Sequence, residues 1–290
     1  MSKFKIYDVR CQKGDSAFLL DDGNTSILYD TGFAFTGYSV AQNIKNVLGE
    51  RSLDFIFLTH SHYDHAAGAP YVKKCYPQAK IVAGEYASKI FAKDSAKNVM
   101  RDLDHKFAEK CGVFEYEDLF DELSVDIAVS DGDKIFAGEN IFEVIYLPGH
   151  TKCSVAYYFE QEGLLLSSET LGVYAGDGIV VPSYLVGYKM TLDSIEKVKR
   201  MKINNILSPH FGILSDSDTQ IFLDKCEKSA SDIANKILEI LRNGGSEKDA
   251  FSFFRDTFYH GYVEEIYPID AMQLNTSIML KLIEKELVND

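Results

Sequence analysis

Short apolar segments and helical repeats of apolar residues alternate along the first third of the chain. Three strand-like segments come first, separated by turn sequences that contain glycine and aspartate: residues 4–9, 16–20 and 25–30. A helix is predicted after Gly37, because apolar residues recur at helical spacing between Val40 and Leu48. It leads into a strand at 54–58, a helix at 66–75 and a strand at 80–83. This alternation predicts an α/β layered domain.

The rest of the chain departs from this alternation in two places. Residues 85–122 are charged and mostly free of glycine and proline, which predicts an inserted helical segment. Strands of a second sheet follow the insertion: residues 125–129, 141–147, 155–159 and 164–166. From residue 216 a helical period resumes, with further helices at 246–256 and 271–288. We therefore predict a domain over 1–215 and a C-terminal helical extension packed on it over 216–290.

Composition and charge exclude several classes of partner. The chain has 30 basic and 44 acidic residues and a net charge of −14, whereas a nucleic-acid enzyme needs a basic surface to neutralise phosphates. We therefore expect no nucleic-acid partner. Because no apolar run approaches the roughly 20 residues of a membrane span, we also expect no membrane partner. The first residues lack the apolar core of a secretory signal, which makes a cytoplasmic location the expectation.

The cysteines argue against a disulfide framework. Their number is odd, they are widely spaced, and they contain no CxxC pair: Cys11, Cys75, Cys111, Cys153 and Cys226. The same spacing argues against a zinc site made of cysteines. We predict that they are reduced and mostly buried.

A cluster of histidines follows the strand at 54–58. His60, His62 and His65 lie with Asp64 within six residues. If the backbone stays extended, His60, His62 and Asp64 share one face and His65 points to a neighbouring position. Imidazole and carboxylate together favour zinc, iron or manganese, in a geometry that suits two adjacent metals. The alternative is a polar surface loop in which the histidines cluster by chance.

These residues match the HxHxDH motif, and the sequence resembles the metallo-β-lactamase-fold hydrolases of the glyoxalase II-like kind. Four further segments resemble other family motifs in family order: Asp30-Thr31-Gly32, Pro148-Gly149-His150-Thr151, Ser168-Glu169-Thr170-Leu171 and Ser208-Pro209-His210. The resemblance covers residues 4 to about 215. His105 and His260 match no motif and are interpreted as ordinary helix or surface histidines.

The resemblance implies a fold, a metal centre and an activity. The implied fold is an αββα sandwich with its site along one edge, and the implied ligand sets are His60, His62 and His150 for one metal and Asp64, His65 and His210 for the other. Glu169 would bridge the two metals, and Asp64 and Glu169 are expected to serve catalysis as well. The implied activity is hydrolysis of a small ester, thioester, lactone or phosphoester by a metal-bridging hydroxide. Zinc is the expected metal, with iron or manganese as alternatives.

Glu169 departs from the family pattern, because relatives usually carry an aspartate at the bridging position. The longer side chain can still bridge two metals if its backbone is set back. Glu169 could instead bind one metal only, or lie behind the ligands without touching a metal.

Other features leave alternatives open. In the family, the inserted segment 85–122 often shapes the substrate pocket, but it could also be a peripheral helix pair. Asp30 either orients a histidine ligand or is a turn carboxylate that accepts from the amides of Thr31 and Gly32. The C-terminal extension either covers the active site or forms the surface of a homodimer. Three tyrosines are considered as donors to a substrate oxygen: Tyr63, Tyr174 and Tyr184.

Two other functions compete with hydrolysis. The first is a binding or sensor protein that keeps the metals without efficient turnover. The second is a diiron oxygen or redox protein, because carboxylate bridges also suit iron. The flavodiiron relatives, however, carry a glutamate where this chain has His62.

Overall fold

The computed structural model of the protein describes residues 3–288. The first two and the last two residues lie outside the described residues. The first two belong to the predicted domain and to the segment that was assessed for a secretory signal, and the last two belong to the predicted C-terminal extension. The chain divides into two compact units. The first contains the residues up to Tyr146 together with Val155–Leu166, and the second contains Leu147–Ser154 together with the residues from Ser167 onward.

The first sheet lies in the first unit. Its strands, in spatial as well as chain order, are β1 (Lys5–Asp8), β2 (Phe18–Asp21), β3 (Ser26–Tyr29), β4 (Phe55–Phe57), β5 (Lys80–Gly84) and β6 (Ile127–Val129). The first three strands pair antiparallel through tight turns, whereas β3 to β6 are parallel. Parallel strands need long crossovers, and helices supply them here. The ends of β3 and β4 therefore meet at the same edge of the sheet.

Four strands of a second sheet also belong to the first unit. They pair antiparallel in chain order as β7 (Lys134–Ala137), β8 (Asn140–Tyr146), β9 (Val155–Phe159) and β10 (Leu164–Leu166). Aromatic rings join the two sheets: Phe57 of β4 stacks on Tyr157 of β9 at 4.5 Å and meets Phe142 of β8 at 5.4 Å. The Tyr157 hydroxyl donates to the carbonyl of Leu58 at 2.7 Å, so this buried phenol keeps a partner. The core of the first unit is thus an aromatic layer between two sheets.

Helices of the first unit fill the crossovers. They are α1 (Gly37–Leu48), α2 (Tyr63–Ala66), α3 (Ala69–Cys75), α4 (Glu85–Phe91) and α5 (Asp94–Lys110), followed by a 3₁₀ turn at Phe120–Glu122. In α1 the residues Val40, Ile44 and Leu48 are buried, as their spacing predicts. In α5 the buried residues are Met100, Asp104 and Ala108, whereas Leu103 is exposed.

The second unit is built mainly from helices. Its elements are a 3₁₀ turn at Glu169–Leu171, β11 (Val173–Tyr174), β12 (Val180–Val181), α6 (Tyr188–Lys199), β13 (Asn205–Ser208), β14 (Gly212–Ile213), α7 (Asp216–Arg242), α8 (Glu247–Phe258), α9 (Tyr262–Ile266), α10 (Ile269–Ile283) and a π-helical turn at Glu284–Val288. The strands pair as two short antiparallel hairpins, β11 with β12 and β13 with β14. Ser215 caps α7 by accepting from the amide of Asp218.

Most predicted elements are present within one to three residues of their predicted bounds. The prediction that 125–129 begins the second sheet is wrong, because residues 127–129 pair with β5 and form the last strand of the first sheet. The helix predicted at 66–75 corresponds to α3, which begins at Ala69, and the separate short helix α2 precedes it. Six elements had no prediction: β7, β11, β12, α6, β14 and α9.

The start of α7 at Asp216 agrees with the predicted start of the extension. The two compact units divide the chain at other positions, so the domain boundary near 215 stays a prediction. None of the helices in residues 3–288 is long and apolar enough to cross a membrane.

The prediction for the cysteines is partly wrong. Cys11, Cys75 and Cys111 are exposed, and only Cys153 and Cys226 are buried. Each exposed cysteine lies in a turn or near a helix end, where the backbone runs at the surface.

Candidate metal centre

The histidine cluster of the first unit, His60, His62, Asp64 and His65, begins three residues after β4. The His60 ring centroid lies 4.6 Å from that of His62 and 4.0 Å from that of His65. The extended backbone considered for this segment ends at His62, because α2 begins directly after that residue. The helical turn carries Asp64 and His65, and it brings the His65 ring back toward His60. His60 and His65 are buried, whereas His62 and Asp64 are half-buried.

Asp30 orients the histidines from behind. It follows β3, is fully buried, and holds a left-handed backbone with φ of 52°. Its Oδ2 lies 2.7 Å from Nδ1 of His65, and its Oδ1 accepts from the amide of Thr59 at 2.9 Å. A carboxylate only accepts, so the Nδ1 of His65 carries the proton and the Nε2 of that ring is left to bind a metal.

Thr59 extends this arrangement to His60. The Thr59 hydroxyl lies 3.1 Å from both oxygens of Asp30 and 3.0 Å from the Nδ1 of His60. Because the hydroxyl donates its proton to the carboxylate, it accepts from His60, whose Nε2 then becomes the ligand atom. Of the two alternatives for Asp30, the structure therefore supports the histidine-orienting one. The amides of Thr31 and Gly32 donate instead to the carbonyls of His65 and Ser16.

Gly68 locks the histidine cluster onto the loop after β3. Its amide donates to the carbonyl of Gly32 at 3.1 Å, and both the amide and the hydroxyl of Thr31 donate to the carbonyl of His65 at 2.8 Å. A Cβ built on Gly68 would lie 2.2 Å from the carbonyl oxygen of Thr31, which is closer than atoms can approach. The glycine is thus required by close backbone packing rather than by an unusual φ, which is −73°.

We expect Gly68→Ala to lower the free energy of unfolding by about 1–3 kcal/mol, because the backbone of residues 31–33 must move to accept a methyl group. Urea denaturation of the metal-free protein measures this loss, since metal binding cannot then mask it. An unchanged unfolding midpoint would contradict the packing argument.

The glutamate cluster of the second unit, His150, Glu169 and His210, has a different geometry. Nε2 of His150 lies 2.8 Å from Oε2 of Glu169, and Nε2 of His210 lies 2.7 Å from Oε1. Each oxygen of one carboxylate therefore faces one imidazole. All three side chains are almost fully buried. The carboxylate thus extends between the two histidines.

Backbone turns position the two histidines of this cluster. Gly149, with φ of 144°, has Thr191 so close that a Cβ would lie 2.2 Å from its hydroxyl oxygen. The Nδ1 of His150 donates to the carbonyl of Ser183 at 2.9 Å, which leaves its Nε2 for Glu169 or a metal. His210 has φ of 63°, a left-handed value that is rare outside glycine, and the Tyr262 hydroxyl donates to its carbonyl.

The donor set in each cluster suits a metal ion. In His65, His60 and His150 the Nδ1 hydrogen bonds direct Nε2 away from the partner that fixes the ring. Imidazole nitrogens mixed with carboxylate oxygens are the ligands of zinc, iron and manganese. The residues therefore fit a metal in chemistry, burial and orientation.

The tyrosines considered as donors have different environments. Tyr174 is 1% exposed and its hydroxyl donates to Asp218 at 2.7 Å, so it holds the start of α7. Tyr184 is fully buried, and burial raises its pKa far above the usual value. Tyr63 is half-buried and lies between two residues of the histidine cluster. His105 and His260 are exposed, in agreement with the prediction for them.

Several residues of this region were not predicted from the sequence. Thr59, Ser183 and Tyr262 act through hydroxyl or carbonyl groups that any loop or helix can carry. Thr59 alone had a signal, its place directly before His60. Ser183 and Tyr262 lie 33 and 52 residues from the histidines they contact, and no sequence spacing marks them.

Comparison with known proteins agrees with this geometry. The Metallo-beta-lactamase superfamily model matches residues 14–210. The chain is 29% identical over 181 residues to the hydroxyacylglutathione hydrolase of Francisella tularensis subsp. holarctica, a match that covers 60% of this chain and 57% of that protein. It is 32% identical over 129 residues to glyoxylase B2 of Dictyostelium discoideum, which covers 44% of this chain and 36% of that protein. The chain thus spans about half the length, or less, of these relatives.

A solved structure resembles the fold over most of the chain. It is the crystal structure of a metallo-beta-lactamase family protein from Thermus thermophilus, with a TM-score of 0.63 and 16% identity over 93% of this chain and 88% of that one. A likeness at this identity is a likeness of fold. It confirms the predicted fold class, an αββα sandwich with an inserted segment and a C-terminal helical region.

Proposed function

The chain belongs to the metallo-beta-lactamase superfamily, and on that premise we propose that it is a hydrolase whose active centre holds two metal ions. Its substrate would be a small ester, thioester, lactone or phosphoester. Hydrolysis adds water across the scissile bond and releases an acid with an alcohol or thiol. The single observation that carries the proposal is the Glu169 carboxylate, which faces one histidine on each oxygen.

We propose that the histidine cluster and the glutamate cluster together form the metal centre. One metal would be held by His60, His62 and His150, the other by Asp64, His65 and His210, with Glu169 reaching both. This assignment is supported by the order of the family motifs and by the ligand chemistry of each cluster. A carboxylate bridge suits such a pair because each of its oxygens can bind one cation.

The bound metals would supply a water acidified toward neutral pH and a Lewis acid for the scissile carbonyl or phosphoryl oxygen. The residues of the chain have the remaining tasks. Asp30 holds the ligand tautomers of His65 and, through Thr59, of His60. Asp64 and Glu169 contribute negative charge that balances the cations, and as the carboxylates of the centre they are also the groups best suited to accept a proton during turnover.

Zinc is the metal that we propose, with iron or manganese as the alternatives, because neutral imidazoles dominate the ligand set. A small-molecule substrate is proposed from the activities for which the relatives are named and from the net charge of −14, which disfavours anionic polymers. A homodimer and a cytoplasmic location stay predictions.

We expect the purified chain to carry about two metal ions, and we expect a chelator to abolish hydrolysis that zinc then restores. Elemental analysis measures the first, and a panel of esters, thioesters, lactones and phosphodiesters measures the second. A metal-loaded chain that is silent on the whole panel but binds a panel compound tightly would favour a sensor over an enzyme. Oxidation of the ferrous form by oxygen, monitored through its absorption spectrum, would favour the diiron alternative.

A further inference from the structure

Five aromatic side chains form a continuous cluster in the first unit, which we call the aromatic wall. They are Phe33, Phe35, Tyr63, Phe107 and Tyr116. Phe33 is central: its ring centroid lies 4.7 Å from that of Phe107, 5.3 Å from that of Phe35 and 5.6 Å from that of Tyr63. Tyr116 joins through Phe35 at 6.3 Å. These separations are typical of attractive aromatic contacts.

The aromatic wall lies directly beside the histidine cluster. Tyr63 separates His62 from Asp64 in the chain, and Phe33 comes three residues after Asp30. Phe107 belongs to α5 of the inserted segment, and α5 packs against α2, which carries Asp64 and His65. This contact favours a pocket-shaping role for the inserted segment over a peripheral helix pair. The segment supplies a surface next to the residues that we propose as metal ligands.

The wall is open as well as apolar. Phe33 is buried, but Phe35, Tyr63, Phe107 and Tyr116 are only half-buried. Aromatic rings that merely filled a core would be covered by other side chains. A connected apolar surface left uncovered beside a polar site is typical of a binding surface for an apolar ligand group.

A buried carboxylate makes the wall rigid. Asp104 of α5 is fully buried, accepts from the amide of Ala34 at 2.8 Å, and accepts from the Tyr116 hydroxyl at 2.5 Å. It thereby ties α5 to the loop at 33–35 and to the segment after α5. Burial raises the pKa of Asp104 to about 6. Because Asp104 is buried and accepts from both donors, it supports the wall without being exposed to a ligand.

We propose that the aromatic wall binds the acyl group of the substrate, which makes the substrate a neutral ester, thioester or lactone with an apolar acyl group of about four carbons or more. This inference rests on the proposed hydrolase function and narrows its substrate class. The wall offers stacking and dispersion contacts to an alkyl or aryl group. The metals proposed at the adjacent histidine cluster would then act on the acyl carbon. Burial of the acyl methylenes then stabilises the transition state as well as the bound substrate.

The test is a series of thioesters with one small leaving group. Acetyl, butyryl, hexanoyl and octanoyl thioesters of N-acetylcysteamine are offered to the metal-loaded protein, and products are measured by chromatography. We expect kcat/KM to rise roughly fourfold for each two methylenes, because a half-open wall buries each methylene in part. We expect Phe107→Ala to lower the octanoyl-to-acetyl ratio of kcat/KM by about tenfold.

Phe114→Ala is the matched control. Phe114 lies in the same segment but is 76% exposed and outside the wall, so its loss should leave the octanoyl-to-acetyl ratio unchanged. A wild-type kcat/KM that does not change with acyl length would overturn the acyl-binding role while leaving the hydrolase function standing. Equal changes in the octanoyl-to-acetyl ratio in Phe107→Ala and Phe114→Ala would also overturn it.

A binding measurement keeps the two proposals separable. Calorimetry compares the affinities of acetate and octanoate, which share a carboxylate and differ only in chain length. We expect octanoate to bind at least tenfold more tightly and Phe107→Ala to remove most of this difference. If no ester, thioester, lactone or phosphodiester is hydrolysed but this preference is present, the wall stands and the hydrolase function fails. Equal affinities would overturn the wall.

Discussion

Glu169→Gln should lower kcat/KM by about a thousandfold and should reduce the bound metal from about two ions per chain toward one. Glu169 offers one oxygen to His150 and the other to His210, so it is placed to join the two parts of the ligand set. An amide keeps the size of the side chain but removes its charge and one acceptor oxygen. Elemental analysis and initial rates on the best panel substrate measure the two effects.

Glu169→Asp separates length from charge. Relatives of the family usually carry aspartate here, and a shorter carboxylate keeps the charge while drawing the oxygens back by one methylene. We expect it to keep metal and to retain more activity than Glu169→Gln. Two metals per chain and wild-type rates in Glu169→Gln would remove the bridging role and leave Glu169 as a residue behind the ligands.

Asp30→Asn should weaken metal binding by about 10–100-fold while the protein stays folded. The carboxylate of Asp30 accepts from Nδ1 of His65 at 2.7 Å and from the hydroxyl of Thr59 at 3.1 Å. An asparagine amide group would present a donor to one of these donors, and His65 would lose the hydrogen bond that directs its Nε2 toward a metal. The measurement is a competition titration of zinc against a chelator.

The stability of the metal-free variant distinguishes orientation from folding. We expect Asp30→Asn to lower the free energy of unfolding by about 1–3 kcal/mol, because a buried hydrogen-bonded carboxylate is replaced. Asp126→Asn is the control: that carboxylate accepts from the amide of Ile81 and from Lys73, within the same unit but at the edge strand. It should lower stability without changing zinc affinity. Equal effects of both variants on zinc affinity would contradict the orienting role.

Secondary-structure elements were predicted best where local patterns are strong. The period of apolar residues in α1 and the apolar run before the histidines are local signals, and both elements are present. Sheet membership was harder. Residues 127–129 have the pattern of a strand, but only the crossover through α4 and α5 decides that they pair with β5.

The inserted segment shows the same limit inside one helix. The composition of residues 85–122 predicts a helical segment, yet the buried face of α5 contains Asp104. A buried aspartate is unfavourable unless donors reach it, and its donors, Ala34 and Tyr116, belong to other segments. No pattern within α5 could indicate that partnership.

By itself, the sequence predicts the candidate metal-binding side chains, because their residue types and family-like spacing lie in short motifs such as His60 to His65. It also determined the αββα class, through the alternation of strands and helices. Only the tertiary structure decided which ring nitrogen of His60, His65 and His150 is held by a hydrogen bond, which histidine Asp30 orients, and which aromatic ring packs beside Tyr63. Those facts depend on hydrogen bonds and ring contacts between residues tens of positions apart, which form only when the chain is folded.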